Sequence, residues 1–168
     1  PLFRDDPMWQ VRAYAASAAK VLNDAATLSA LSLDANPSVR AAALTTVDHA
    51  IQALTADHSG LLVEAAAKLK GAPQLKAAAP RIAATVLRLS RDGRVTVRDP
   101  RLRLIELLGE ASDAAAIEKL RPLLADRDPQ VAGLVANLLT QSTGKTVEAK
   151  TIRYVPEPFP SESTLRAL

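Results

Sequence analysis

One ten-residue stretch recurs along this chain, and its recurrence constrains the fold more than any other feature does. The best-formed copy, residues 34–43, reads Asp-Ala-Asn-Pro-Ser-Val-Arg-Ala-Ala-Ala. Asp34 or Asn36 can accept hydrogen bonds from the free N–H groups at a helix start, and Pro37 suits the first helical position. The small apolar residues that follow fall on one helical face, where a neighbouring helix can approach closely. The stretch therefore predicts a turn that begins a helix.

Further copies of this stretch begin at Asp6, Asp57 and Asp126, and a weaker copy of its core begins at Asp99. The copy at Asp57 follows Asp34 by 23 residues, and the copy at Asp126 follows it by 92. Self-similarity at a spacing of a few tens of residues, carrying a helix–turn–helix pattern, indicates stacked helical pairs. The sequence therefore predicts an all-α fold.

The turn Asp-x-Asn/Asp-Pro-x-Val-Arg, with its alanine-rich helix, resembles HEAT repeats, especially the short bacterial kind found in phycobilisome-lyase-like proteins. The resemblance covers residues 3–141; its departures are the short spacing and an apparent insertion at residues 94–98. It implies a right-handed α-solenoid of about four and a half helical hairpins over residues 1–144. The second helices would line the concave face. The implied function is non-catalytic binding of a protein or peptide, as in a scaffold.

Residues 145–168 differ in character from the repeats. Residues 155–160 are proline-rich and must be extended, which predicts an irregular tail or linker leading to a further segment. The chain begins at Pro1 and not at Met, so we expect a processed or excised fragment. Repeats followed by such a linker also resemble bacterial proteins that carry a cyclophilin-type peptidyl-prolyl isomerase domain. That resemblance implies a module that presents clients to the isomerase, with no catalytic residue of its own.

Composition supports helices and restricts the chemistry. Aromatic residues make up only 3% of the 168, so Leu, Val, Ile and Ala must build the core. No apolar run is long enough to cross a bilayer and no signal peptide is visible, which leaves the bacterial cytoplasm and the periplasm as alternatives. The absence of cysteine excludes disulfides, thiolate metal sites and a cysteine nucleophile. A net charge of +3 permits an anionic partner without requiring one.

The apolar periodicity predicts nine helices, over residues 7–22, 25–33, 37–46, 49–56, 60–70, 74–91, 100–108, 113–124 and 129–140. In the first helix we expect Asp6 to be the cap, and an apolar face made of Val11, Ala15, Ala18 and Leu22. A break near residue 47, with Asp48 as the next cap, is favoured over one long helix from 37 to 56. Pro80 should kink or restart the sixth helix, and Pro122 lies within the eighth.

Three arginines, Arg12, Arg40 and Arg103, recur at one position of the repeat. Acidic residues lie near each of them in sequence, namely Asp6, Asp34 and Asp99. The favoured interpretation is a ladder of Asp–Arg hydrogen bonds that ties each turn to the next, because a guanidinium group suits paired contacts with a carboxylate. The alternative is a basic stripe that contacts a partner.

A denser arginine cluster surrounds the segment before the seventh helix and comprises Arg88, Arg91, Arg94, Arg98, Arg101 and Arg103. A solvated loop is the favoured interpretation, and binding of phosphates or of an acidic protein surface is the alternative. No aromatic residue lies among these arginines to stack on bases, so nucleic acid ranks below protein as a partner. Some HEAT-like proteins are DNA glycosylases, which makes a hydrolase or lyase a third alternative.

The remaining candidates are the two histidines and the single tryptophan. His49 and His58 have only Asp48 and Asp57 nearby, too few ligands for a metal site to be favoured. Trp9 is expected to cap the first repeat, with a role as partner anchor as the alternative. No catalytic, cofactor-binding or metal-binding residue is predicted. The candidate partner-binding residues are Trp9, Arg12, Arg40, Arg94, Arg98, Arg101 and Arg103.

Overall fold

A computed structural model describes residues 3–91 and 98–150 of the chain. Within these residues it contains nine α-helices and one 3-10 helix, and no β-strand. The α-helices are α1 Trp9–Leu22, α2 Ala25–Leu31, α3 Pro37–Ala43, α4 Val47–Ala53, α5 Ser59–Leu69, α6 Leu75–Arg91, α7 Arg98–Ala111, α8 Ala114–Glu118 and α9 Pro129–Thr143. The 3-10 helix Arg121–Ala125 lies between α8 and α9. The all-α prediction is confirmed for the described residues.

Side-chain caps fix where most of these helices begin. The capping residues of α2, α3, α4, α5, α8 and α9 are Asp24, Asn36, Thr46, His58, Asp113 and Asp128, and each accepts a hydrogen bond from a first-turn N–H. Such a bond satisfies one of the four N–H groups that a helix start leaves without a partner. The cap at Thr46 separates α3 from α4, which confirms the predicted break. Asp48, the predicted cap, lies instead in the first turn of α4.

The start of α1 differs from the prediction. This helix begins at Trp9 and not at residue 7, because the Asp6 carboxylate accepts a hydrogen bond of 2.8 Å from the Met8 N–H and holds this segment in a turn. The end of α1 is as predicted, with Asn23 in the left-handed conformation at a φ of 55°. Such a φ is tolerated better by asparagine than by most other residues.

Two further differences involve glycine and proline. α7 runs through Gly109 to Ala111, because one glycine inside a helix costs only about 1 kcal/mol and the flanking residues are buried. α6 is continuous through Pro80, so of the two predicted alternatives, a kink or a restart, the restart is wrong. In contrast, α8 ends before Pro122, and this proline occupies the first turn of the 3-10 helix, where its missing N–H has no cost.

The helices contact one another in alternation. α1 packs against α3, α3 against α5, α5 against α7, and α7 against α9. Each of the remaining helices packs against a member of this row, with α2 on α3, α4 on α5, α6 on α7, and α8 on α9. Successive helices therefore alternate between the row and a position packed against it.

Two clusters of buried side chains hold these helices together. The larger cluster extends from Leu44 to Leu139 and is built from leucine, alanine, isoleucine and valine side chains, most of them on α5 to α9. The smaller cluster is confined to α1, α2 and α3, and consists of Ala16, Ala19, Leu28, Leu31, Val39 and Ala43. The buried side of α1 is therefore the Ala16 side, while Ala18 and Leu22 from the predicted apolar face are exposed.

After α9 the chain turns at Gly144 and returns along the last helices. The Lys150 N–H donates to the Leu124 carbonyl at 2.7 Å, and the Val147 N–H donates to the Thr140 hydroxyl at 2.9 Å. Predictions for residues 92–97 and 151–168, including the proline-rich stretch, lie outside the described residues. None of the described helices is long and apolar enough to span a bilayer.

Candidate functional site

The repeated turn has the same backbone geometry in three of its copies. In each copy the first aspartate accepts a hydrogen bond from the N–H two residues later. The three bonds, from Met8 to Asp6, from Asn36 to Asp34 and from Asp128 to Asp126, all measure 2.8 Å. This side-chain turn mimics a backbone turn and sets the direction in which the following helix leaves. The copies are therefore structural equivalents as well as similar in sequence.

The first rung of the predicted ladder joins Arg12 to Asp34. The Arg12 Nε and Nη2 atoms donate to the two carboxylate oxygens at 2.7 and 3.0 Å, in the paired geometry that a guanidinium favours. The Arg12 Nη1 atom donates to the carbonyls of Asp6 and Pro7 at 2.8 and 3.1 Å. The hydrogen bond from Arg12 lowers the pKa of Asp34 despite its burial. Arg12 thus ties its own turn to the next one, and we assign it a structural role.

Arg40 forms only part of the same set of contacts. Its Nη1 atom donates to the carbonyls of Asp34 and Ala35 at 2.7 and 3.0 Å, as Arg12 does one repeat earlier. Among residues 3–91 and 98–150, no carboxylate lies within ion-pair distance of Arg40. The second rung of the ladder is therefore incomplete.

The last copy of the turn carries two carboxylates and is paired with two arginines of α7. The Arg101 Nη1 atom donates to Asp126 at 2.8 Å, and its Nη2 atom lies 3.9 Å from Asp128. Arg98 donates to Asp128 from the surface. Burial alone would raise the pKa of Asp128, but the hydrogen bond from Arg98 and the neighbouring positive charges outweigh it, so the pKa is lowered.

Arg101 and Asp126 form the most buried ion pair of the described chain, with each side chain only 8% exposed. The Arg101 Nε atom is also buried and has no hydrogen-bond partner among the described residues. The weaker copy of the motif predicted Arg103 for this role. Arg103 is exposed instead and pairs with no carboxylate of the described residues, so that assignment is wrong.

A cleft of about 480 Å³ opens beside this turn, between the end of α6, the start of α7 and the 3-10 helix. Its cationic lining comprises Arg91, Arg98, Arg101 and Arg127, which we call the arginine cleft. The two carboxylates of the turn offset Arg98 and Arg101. Arg91 and Arg127 are exposed and have no ion pair within the described residues, which leaves the rim positively charged.

The arginine cleft brings together only some of the predicted residues. Arg98 and Arg101 line it, Arg94 lies outside the described residues, and Arg88 pairs with Asp57 at another turn. Arg127 was missed because it lies 24 residues beyond the predicted arginine cluster, and only the folding of the chain places it beside the same cleft. The double acidic pattern of Asp126 and Asp128 was the available signal.

Trp9 lies at the opposite end of the row of helices. It is 41% exposed at the start of α1 and belongs to a group of large hydrophobic side chains that are exposed in the same way. Among the described residues, the group is confined to residues 3–33 and comprises Phe3, Met8, Trp9, Tyr14, Val21, Leu22 and Leu33. Such a concentration is unusual on a solvent-exposed surface. It leaves both predicted roles of Trp9, terminal cap and partner anchor, open.

Within residues 3–91 and 98–150, neither histidine belongs to a cluster that could bind a metal ion. His58 caps α5 by accepting a hydrogen bond of 3.3 Å from the Leu61 N–H. Within the described residues there is no group of three or more His, Cys, Asp or Glu side chains placed to hold a metal ion.

No protein-family profile, curated protein or solved structure matches this chain. The functional assignment therefore has to come from the geometry of the chain itself.

Proposed function

We propose that this chain is a non-catalytic scaffold module that binds an acidic segment of a protein partner in the arginine cleft. A HEAT-like α-solenoid is part of this proposal. It is supported by the recurring turn and by the alternating contacts, in which successive helices alternate between the row and a position packed against it. Presentation of the bound segment to a cyclophilin-type isomerase domain would be the use of such a module in a longer protein.

The observation that carries the proposal is the arrangement of charge in the cleft. Four arginines line it, yet only two have carboxylate partners among the described residues. The rim arginines, Arg91 and Arg127, can each bind a carboxylate of a partner without breaking an ion pair within the described residues. Between them the wall contains apolar groups of Leu89 and Leu123 and the rings of two prolines, which suit the aliphatic parts of a peptide.

The alternative partner is nucleic acid, and the composition of the cleft argues against it. No aromatic side chain is among the described residues that line the cleft, so a base would have no surface on which to stack. The carboxylate of an acidic side chain is smaller than a phosphodiester and lies at the end of a flexible side chain, so it can reach one rim arginine at a time.

Fluorescence anisotropy with a labelled hexaglutamate peptide and a labelled oligothymidine of equal charge tests this proposal. We expect the peptide to bind in low salt and the Arg91→Glu/Arg127→Glu variant to lose that binding by tenfold or more. The control, Lys68→Glu/Arg81→Glu, changes the net charge by the same amount at exposed positions outside the cleft and should retain it. Tighter binding of oligothymidine, with a steep salt dependence, would favour the nucleic-acid alternative. Equal losses in both variants would indicate non-specific attraction.

A further inference from the structure

Arg12 and Arg40 occupy equivalent positions of two successive repeats, 28 residues apart. Each donates from Nη1 to the carbonyls of the two residues that begin its own turn, with closely similar distances. These carbonyl contacts hold both guanidinium groups against the turn. The Nε and Nη2 atoms of Arg40 should therefore be presented as those of Arg12 are.

The two arginines differ in what these remaining atoms bind. In Arg12 the Nε and Nη2 atoms donate hydrogen bonds to the two carboxylate oxygens of Asp34. The repeat equivalent of Asp34 in the next turn is Asp57, and its side chain is 83% exposed and paired with Arg88. Arg88 is itself held by the carbonyls of Leu54 and Ala56, at 3.0 and 2.9 Å. Asp57 is thus engaged elsewhere, and the donors of Arg40 lack the carboxylate that the repeat would supply.

A cleft of about 300 Å³ lies in front of Arg40, between α3, α4 and the start of α5. Its polar lining includes Gln52 and also His49, whose Nδ1 atom is buried without a hydrogen-bond partner among the described residues. Its apolar lining includes Leu33, Leu44 and Leu61. The cleft therefore combines polar groups that lack protein partners, those of Arg40 and His49, with an apolar wall. This is the usual composition of a small-ligand site.

We propose that the Arg40 cleft binds a carboxylate group of a peptide, with the adjacent apolar side chain of that peptide against the leucines. The ligand carboxylate takes the place that Asp34 fills at Arg12, accepting hydrogen bonds from Arg40 Nε and Nη2. The carboxylate can come from an acidic side chain or from a free C-terminus. This site shares no lining residue with the arginine cleft, so it does not depend on the function proposed above.

Nuclear magnetic resonance titration of the labelled chain tests this site, with the Arg40 Nε–H signal and the His49 signals as readouts. Three short peptides serve as probes: one with a Glu-Leu pair and blocked ends, one with Gln-Leu and a free C-terminus, and one with Gln-Leu and blocked ends. We expect one or both carboxylate peptides to shift these signals to saturation, and the uncharged peptide to leave them unchanged. The responding peptide identifies the source of the carboxylate.

Substitutions at Arg40 separate this site from general attraction to arginine. Arg40→Met should weaken carboxylate binding by about tenfold, since it removes a paired charge-assisted contact. Arg40→Lys keeps the positive charge but cannot donate two parallel hydrogen bonds to one carboxylate, so it should bind more weakly than the native chain. It also serves as a second variant if Arg40→Met fails to fold. Arg81→Met, an exposed control, should bind normally.

Three results would overturn the proposal. One is a response of the uncharged peptide equal to that of the carboxylate peptides. Another is unchanged binding by Arg40→Lys in a folded chain. The third is binding that appears only in Asp57→Asn, because Asp57 would then fill the Arg40 donors in solution. The Arg91→Glu/Arg127→Glu variant should still bind the responding peptide at this site, whereas hexaglutamate lacks the apolar side chain that the Arg40 cleft takes. A loss of hexaglutamate binding in that variant can therefore be assigned to the arginine cleft.

Discussion

The turn at Asp34 and the turn at Asp126 are built alike but surrounded by different charges. Both close through an aspartate that accepts from the N–H two residues on, and in both the third residue caps the next helix. At the Asp34 turn that capping residue is Asn36, and a single arginine, Arg12 of α1, pairs with Asp34. At the last turn it is Asp128, and two arginines of α7 are drawn in.

The comparison shows which parts of the motif are structural and which are variable. The first aspartate is needed in both turns, because it serves the backbone and the arginine of the previous repeat at once. The capping position tolerates a neutral or a charged residue, since either can accept from a helix N–H. Changes at the capping position alter the local charge without altering the turn, which allows one fold to carry differently charged clefts.

The largest expected effect on stability comes from breaking the buried ion pair between Arg101 and Asp126 at the last turn. Arg101→Met removes one partner of an ion pair that is almost fully buried, so the carboxylate of Asp126 is left without its cation. Breaking such a pair typically costs about 3–5 kcal/mol. Urea unfolding followed by circular dichroism measures this loss. The control is Arg103→Met in the same helix, which is exposed and should change stability by no more than about 0.5 kcal/mol.

Similar losses in both of these variants would contradict the assignment. The result would mean that the charge of α7 as a whole matters, and that the contact between Arg101 and Asp126 has no special role.

The stability that the turn at Asp34 gives to the fold should depend on pH. Its pKa is lowered from an ordinary value of 3.8, mainly by the hydrogen bond from Arg12. A carboxylate whose pKa is lowered on folding stabilises the protein above about pH 4, and that contribution is lost as the pH falls through the lowered pKa. Asp34→Asn should therefore cost about 2 kcal/mol near neutral pH, and much less near pH 2.5.

Free energies of unfolding at the two pH values measure this difference. Asp5→Asn, at a carboxylate that is 71% exposed, is the control and should be close to the native chain at both. A loss in Asp34→Asn that persists unchanged in acid would show that the side-chain shape, and not its charge, supports the turn.

Sequence reasoning was most successful where the local chemistry decides the structure. The break between α3 and α4, the end of α1 at Asn23 and the start of α9 at Pro129 all follow from caps and turns within a few residues. The all-α class follows from the same signals. The predicted apolar face of α1 was wrong at Ala18 and Leu22, because α1 is rich in alanine and alanine fits either a buried or an exposed face.

The candidate site was harder to predict because it depends on contacts between distant residues. Spacing in the motif pointed to Arg103, whereas packing of α7 buries the arginine two residues earlier, and a two-residue shift on a helix moves a side chain to the opposite side. Arg127 lies far from the other arginines in sequence, after a 3-10 helix where a continuation of α8 was predicted, and only the folded chain places it beside the cleft. Neither fact is encoded in the motif alone.

The smallest expected effect on stability comes from making the last turn resemble the first. Asp128→Asn keeps an acceptor for the Gln130 N–H, as Asn36 does for the Ser38 N–H, so the cap should survive. The lost pair with Arg98 is partly solvent-exposed, with Arg98 itself 47% exposed, and should cost no more than about 1 kcal/mol. Stability should therefore hardly change.

The same substitution should have a larger effect on binding than on folding. Removing one negative charge from the arginine cleft frees Arg98 for an incoming carboxylate, so hexaglutamate should bind several-fold more tightly. Fluorescence anisotropy measures this gain, and the unfolding experiment measures the small loss of stability. Tighter binding with nearly unchanged stability would show that the charge of Asp128 controls how strongly the cleft binds an acidic ligand. A loss of stability as large as that of Arg101→Met, without tighter binding, would instead make Asp128 part of the buried rung.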